Sequence, residues 1–163
     1  MSTNEEENKK ENQDETEEYT IKKENLILET HTKINRYLCG DIIVHKKGYV
    51  ELELTTENEM VVDGMGLIHG GFVFGAADFA AMAAVNEKNV VLVSSQCEFL
   101  SPAKIGNIIK VVAQVRHQEG RKRNVHVRAY VHDVKIFEGE FMTVITEKHV
   151  LKMKLYEDEE QKK

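Results

Sequence analysis

At 163 residues the chain has length for a single domain with a hydrophobic core of useful size. Its net charge of −6 sits at the ends: residues 1–20 hold eight acids against two lysines, the last seven hold four acids against two lysines, and 16 acids face 18 bases between them. The near-neutral body, a pI of 5.7 for the whole chain and the lack of aromatic residues interleaved with the short basic patch argue against nucleic acid as a partner.

Between Met1 and Tyr19 there is no apolar residue. Residues 1–20 therefore cannot offset the entropy of ordering and read as a disordered acidic tail. Lacking an apolar stretch, they do not read as a secretory signal. One domain is expected over residues 21–154, followed by a charged tail over 155–163. Cys39 and Cys97 lie far apart without metal-ligand spacing and read as free thiols of a reducing cytoplasm, and no metal site is expected.

Along the chain, Leu26, Ile27, Ile34 and Leu38 recur at roughly helical spacing and predict a short amphipathic helix within residues 24–38, stopped by Gly40. Two strands follow over 41–44 and 48–54, joined at Lys46-Lys47-Gly48, with Val50, Leu52 and Leu54 on one face and Glu51 and Glu53 on the other. Residues 55–65 read as a polar connection. After the segment 67–86 come strands over 90–99, 108–116, 124–132 and 135–146, with Ser101-Pro102 ending the first and a polar loop over 117–123. In the third of these, Val125, Val127, Ala129 and Val131 point inward and His126, Arg128, Tyr130 and His132 outward.

The segment 67–86, LIHGGFVFGAADFAAMAAVN, is the most informative in the chain. It is long enough to be weighed as a membrane span, but Asp78 near its centre would cost about 2.5–3.5 kcal/mol there. Gly66, Gly70, Gly71 and Gly75 weaken its first half as well. A helix buried in a protein without membrane contact fits better. Such a helix is apolar nearly all round and needs cover on nearly every side. Its alanines keep it thin enough for a curved antiparallel sheet to wrap it, and a second subunit is expected to cover what the sheet leaves bare. The fold class is α+β, with one antiparallel sheet around one long central helix.

Three motifs in order carry a family resemblance. His69-Gly70-Gly71 precedes Asp78 by nine positions counted from the histidine. Phe99-Leu100-Ser101-Pro102-Ala103-Lys104-Ile105-Gly106 and Gly120-Arg121-Lys122-Arg123 follow. Together, over residues 30–148, they resemble the hotdog-fold acyl-CoA thioesterases of the phenylacetate-pathway and 4-hydroxybenzoyl-CoA types. The full chain, tail included, also resembles the flagella-coregulated hotdog proteins of epsilon-proteobacteria, which implies a link to virulence. The resemblance implies hydrolysis of a fatty or aromatic acyl-CoA at a site between subunits of a homodimer or a dimer of dimers. No cofactor is implied beyond the coenzyme A of the substrate.

The physical reading of the residues is compatible with that. Thioester hydrolysis passes through an oxyanion, and a helix start offers unpaired N–H groups and a positive dipole end. Gly70 and Gly71 are the expected cradle of the thioester carbonyl, with His69 shaping the turn. The resemblance assigns Asp78 as general base or nucleophile. A carboxylate among apolar residues should have a raised pKa, which suits a base. Taken singly, His69 also reads as a satisfied core histidine, the glycines as a closely packed helix start, and Asp78 as half of an interface ion pair. Their joint spacing favours a ligand site.

The chain departs from the family pattern where Asp63, six residues before the histidine, replaces the usual Asn or Gln. That puts a second carboxylate at the substrate, able either to raise the pKa of Asp78 or to repel hydroxide. Leu92 likewise stands where relatives often have a small hydroxyl residue, with Ser94 and Ser95 nearby but out of phase. Acyl-CoA binding stays credible while turnover is put in question, which leaves a non-catalytic acyl-CoA-binding protein as the rival. Arg121, Lys122 and Arg123 read either as a site for the phosphates of coenzyme A or as a solvated turn. Hotdog hydratases are disfavoured because Asp63 and His69 are six apart with no Asn or Pro between. Hotdog transcriptional regulators are disfavoured because no helix-turn-helix precedes the domain.

Overall fold

The computed structural model describes residues 25–153, and the acidic segment 1–20 and the tail 155–163 lie outside the described residues. Helix α1 (Arg36–Cys39) leads into strands β1 (Asp41–Lys46) and β2 (Tyr49–Thr55), and a 3-10 turn (Asn58–Met60) precedes the long helix α2 (Gly70–Val85). Strands β3 (Val90–Phe99), β4 (Ile108–Glu119), β5 (Lys122–Val131) and β6 (Val134–Ile145) complete one antiparallel sheet in the order β1-β2-β4-β5-β6-β3. This is the hotdog architecture. No helix among the described residues is long and apolar enough to cross a membrane.

Alternation explains how the sheet wraps the helix. Val50, Leu52 and Leu54, Ile109, Val111 and Ala113, and Val125, Val127 and Ala129 are all fully buried on one face, against Ala76, Ala77, Ala80, Ala81, Ala83 and Ala84 of α2. Small side chains on the helix let the backbones approach, and Phe79, Phe137 and Phe141 fill the wider gaps. Two polar residues close the far end of α2. The His45 ring donates to the Ala83 carbonyl at 2.8 Å, satisfying one of the last-turn acceptors. Asn86 takes the left-handed conformation (φ 53°), common after a helix end.

Two expectations need correction and a third needs an addition. Among the described residues of the stretch 24–38, only those from Arg36 on are helical, in the short helix Arg36–Cys39. Leu26 instead donates its N–H to the His45 carbonyl (2.9 Å), and the Asn86 side chain holds the backbone of Ile27 and Glu29. This segment is an extended strap across the β1 edge and the end of α2, and apolar side chains spaced along a strap mimic a helical stripe. The polar stretch 117–123 is mostly strand, because β4 and β5 continue until Glu119 pairs with Lys122 across Gly120-Arg121. Finally, His126 faces outward as alternation demands, yet it is only 8% exposed. Glu138 (3.0 Å) and Glu140 (2.5 Å) on the neighbouring strand take its two ring nitrogens.

Candidate active site

The α2 start is built by backbone pairing around it. Met60 accepts the His69 N–H (2.9 Å), and Ala103 accepts that of Ile68 (2.9 Å), so the turn is pinned between the 3-10 segment and the exit of β3. His69 is the N-cap, but its side chain makes no capping bond and is exposed. Its ring folds over the first turn, where a Cβ on Gly71 would meet it at 2.9 Å. A Cβ on Gly70 would meet the Phe99 ring at 3.1 Å. Neither glycine has an intrahelical acceptor for its N–H at these first positions. Both amides therefore sit at the positive end of the helix dipole with no side-chain cap over them.

Beside this turn lies a cavity of about 370 Å³, lined by Ile68, Gly70, Val73, Phe99, Pro102 and Ile136 among others. A neighbouring cavity of about 490 Å³ shares Pro102 and Ala103 with it and is lined also by Asp63, Met65 and Lys104. Asp63 itself is taken up locally: its Oδ1 accepts the N–H groups of Met65 (2.9 Å) and Leu67 (3.2 Å).

Asp78 stands eight residues further on, roughly 12 Å along the axis. It is half-buried, its Oδ1 has no hydrogen-bond partner among the described residues, and burial pushes its carboxyl up to about 6. The cause is desolvation, with no contribution from Asp63. Cys39 of α1 is close enough to feel it: burial first, and then the Asp78 charge, push that thiol up. Gly71, Gly75 and Asp78 recur at helical spacing on the stripe of α2 that the sheet leaves uncovered, and a Cβ on Gly75 would meet nothing within 4 Å.

Within one protomer, then, the fold gathers His69, Gly70, Gly71 and Asp63 around the β3 exit and holds Asp78 apart from them. The basic turn is further away. Arg121 accepts the Ile145 N–H through its carbonyl, Ile145 pairs with Val90 at the start of β3, and Gly70 meets Phe99 at its end. About nine residues of strand, roughly 30 Å, separate them. Arg121 is already paired with Glu147, and Arg123 donates to the carbonyls of Gly120 and Lys122.

Residues not singled out as site residues line the cavity: Phe99, Leu100, Ala103 and Ile136. The signal for three of them was the Phe-Leu-x-Pro-Ala motif, read from sequence as a strand end rather than as a wall. A bulge between Leu92 and Ser94 shifts the phase of β3. Ser95 thereby lies opposite the buried Phe141, on the helix side of the sheet.

The family model described as Thioesterase superfamily matches residues 65–136. An uncharacterized protein from Pyrococcus horikoshii is 43% identical, with a TM-score of 0.77 over 78% of this chain and 98% of that one. A sigma28-regulated virulence protein from Campylobacter jejuni is 37% identical, with a TM-score of 0.74 over 77% and 89%. Among curated sequences, a methylthioribose-1-phosphate isomerase from Aquifex aeolicus is 44% identical over 72% of this chain, and a transcription factor, FapR, from Thermoanaerobacter is 26% identical over 69%. Both are longer, and the matched stretch of the chain spans only 26% and 55% of them. At the level of fold alone, a Streptococcus mutans protein bound to acetyl-CoA aligns with a TM-score of 0.64 at 18% identity, over 72% of this chain and 97% of that one.

Proposed function

The chain belongs to the thioesterase superfamily of hotdog-fold proteins, and from that premise we propose that it hydrolyses a fatty or aromatic acyl-CoA at a site shared by two subunits. The observation that carries this reading is Asp78: a half-buried carboxylate on the stripe of α2 that the sheet leaves free, with one oxygen that has no partner among the described residues and a pKa raised to about 6. An oxygen left without a partner in an apolar setting is costly, and a base poised near neutral pH is what would repay it.

In this reading the Gly70 and Gly71 amides of one protomer hold the thioester oxygen while Asp78 of the partner subunit faces the carbonyl carbon. The 12 Å offset within one chain supports that division. Asp78 takes a proton from water as the water oxygen bonds to the carbonyl carbon. The negative charge gathers on the oxygen held by the amides, then the C–S bond breaks and the proton passes to the departing thiolate. In the nucleophilic variant the carboxylate itself attacks the carbonyl carbon and the C–S bond breaks to expel the thiolate; water then cleaves the resulting anhydride, freeing the acid, restoring the carboxylate and supplying the proton that the thiolate takes up. His69 shapes the turn, Asp63 borders the entrance, and Arg121, Lys122 and Arg123 meet the coenzyme A phosphates from another protomer. No cofactor is needed beyond the coenzyme A of the substrate, so turnover should survive chelation by EDTA.

A homodimer or a dimer of dimers is supported by the edge strand: β3 is ten residues long and, among the described residues, pairs on one side only, with Val93 55% exposed, so a second copy would suit it as a partner. A cytoplasmic location is proposed from the two free cysteines, and flagella-coregulated expression linked to virulence from the sequence resemblance, supported by the likeness to a sigma28-regulated virulence protein. Loss of the transcript in a sigma28 deletion would test the latter.

A second reading is favoured by Asp63. Its carboxylate is engaged by Met65 and Leu67 at the position where relatives keep a water-orienting amide, which fits a protein that binds acyl-CoA and acts through partners. Free-thiol release from a panel of acyl-CoAs decides between the two. Turnover abolished in Asp78→Asn supports the enzyme. Binding without thiol release, unchanged by that substitution, supports the binding protein.

A further inference from the structure

Resting on the thioesterase reading, we propose that the 370 Å³ cavity beside Gly70 is the acyl pocket and that Phe99 sets its size limit, so that the site takes compact acyl groups, short-chain or single-ring, in preference to long fatty chains.

The cavity has two kinds of wall. Ile68, Val73, Ala103 and Ile136 are core residues, each no more than 5% exposed, so the back cannot give without unpacking the domain. Phe99 and Leu100 form the front and are 56% and 44% exposed. Apart from Ser101 the lining is apolar. A cavity of this size sits at the low end of the roughly 300–1,000 Å³ typical of small-molecule sites.

Phe99 is held in place from two sides. Its ring meets Phe137 edge-on at 5.2 Å and 72°, an arrangement aromatic pairs prefer. It also lies so close over Gly70 that a Cβ there would come within 3.1 Å. The ring therefore stands over Gly70 at the exposed front of the cavity, where an acyl group whose carbonyl rests on the Gly70 amide would pack against it. A flat ring or a short chain packs against Phe99 and Ile136, whereas a long chain meets the fixed wall formed by Val73 and Ala103. The aromatic residues of α2 do not line this cavity: Phe79 is fully buried, Phe74 packs on Phe141 at 5.4 Å, and Phe72 stands edge-on to His69 at 6.1 Å.

The test uses the full chain and two unhydrolysable thioethers, S-benzyl-CoA and S-decyl-CoA, titrated calorimetrically, with thiol release from benzoyl- and decanoyl-CoA measured in parallel. The wild type should favour the benzyl compound by about tenfold or more, the scale on which apolar pockets discriminate. Phe99→Ala should erase that preference, and Phe99→Trp should weaken the decyl compound further; circular dichroism checks that both variants fold. Equal ratios in wild type and Phe99→Ala, or a wild-type preference for decyl, overturn the pocket assignment even if turnover persists. Absence of binding by either thioether, with no thiol release, overturns the thioesterase reading and this assignment with it.

Discussion

The two ends of α2 are made of similar residues and do opposite things. From Ala76 to Ala84 every residue except Asp78 is buried, and the small side chains exist to let the sheet close in. From Gly70 to Gly75 three glycines flank the bulky Phe72, Val73 and Phe74; Gly71 is exposed and Gly75 faces open space. Smallness at the C-terminal end serves packing, and at the N-terminal end it keeps backbone amides accessible. Asp78 marks the boundary, with one carboxylate oxygen on the buried side and unpaired.

The difference can be broken or sharpened by substitution. The largest effect expected is on chemistry. Asp78→Asn should cut turnover by roughly a hundred- to ten-thousand-fold while leaving S-benzyl-CoA affinity nearly unchanged; full activity in the variant would sink the enzyme reading. In the packed half, Ala80→Leu should cost about 1–3 kcal/mol of stability by overpacking. Urea unfolding measures this, and the molecules that stay folded should turn over normally.

Gly71→Ala should behave the other way round. The added methyl meets only the His69 ring, so stability should shift by no more than about 0.5 kcal/mol. Turnover should fall about tenfold, as expected when a first-turn amide is crowded (about 1.4 kcal/mol). A Gly71→Ala variant with full turnover would mean the two ends do not differ in the way argued.

The smallest effect is on pH dependence. Asp78 has its folded pKa raised from 3.8 to about 6, so folding disfavours its ionised form. The resulting penalty is absent below the unfolded value, grows between the two values and is constant above the folded one. Asp78→Asn should therefore gain stability over the wild type as pH rises from 4 to 7, by about 1 kcal/mol after allowing for partial exposure. Wild-type turnover should show an acid limb near pH 6, and a flat profile from pH 5 to 8 would remove Asp78 from the role of base.

Much of this was legible in the chain. Alternation in β2, β4 and β5 is strict, and the unusual Asp in an alanine helix pointed to itself. What was not legible depends on partners distant in sequence. The strap at residues 25–29 is extended because His45 and Asn86 are there to bond it, and no local pattern announces them. The cavity wall draws Ile136 from β6 to meet Pro102, a pairing only the folded sheet creates. The basic turn was linked to the glycines by family order, whereas the length of β3 sets them at opposite ends of one protomer.

The buried imidazole on the outer face has a further consequence. His126 lies between Glu138 and Glu140, two residues apart on β6. Sliding β5 by a single residue would turn His126 inward among the phenylalanines and expose Val125 and Val127 to water, because side chains alternate with a strict period of two. The clamp thus works as an alignment key. It makes the neighbouring misregistered hairpin the expensive one, and so fixes which way up the strand must lie before the helix is ever enclosed.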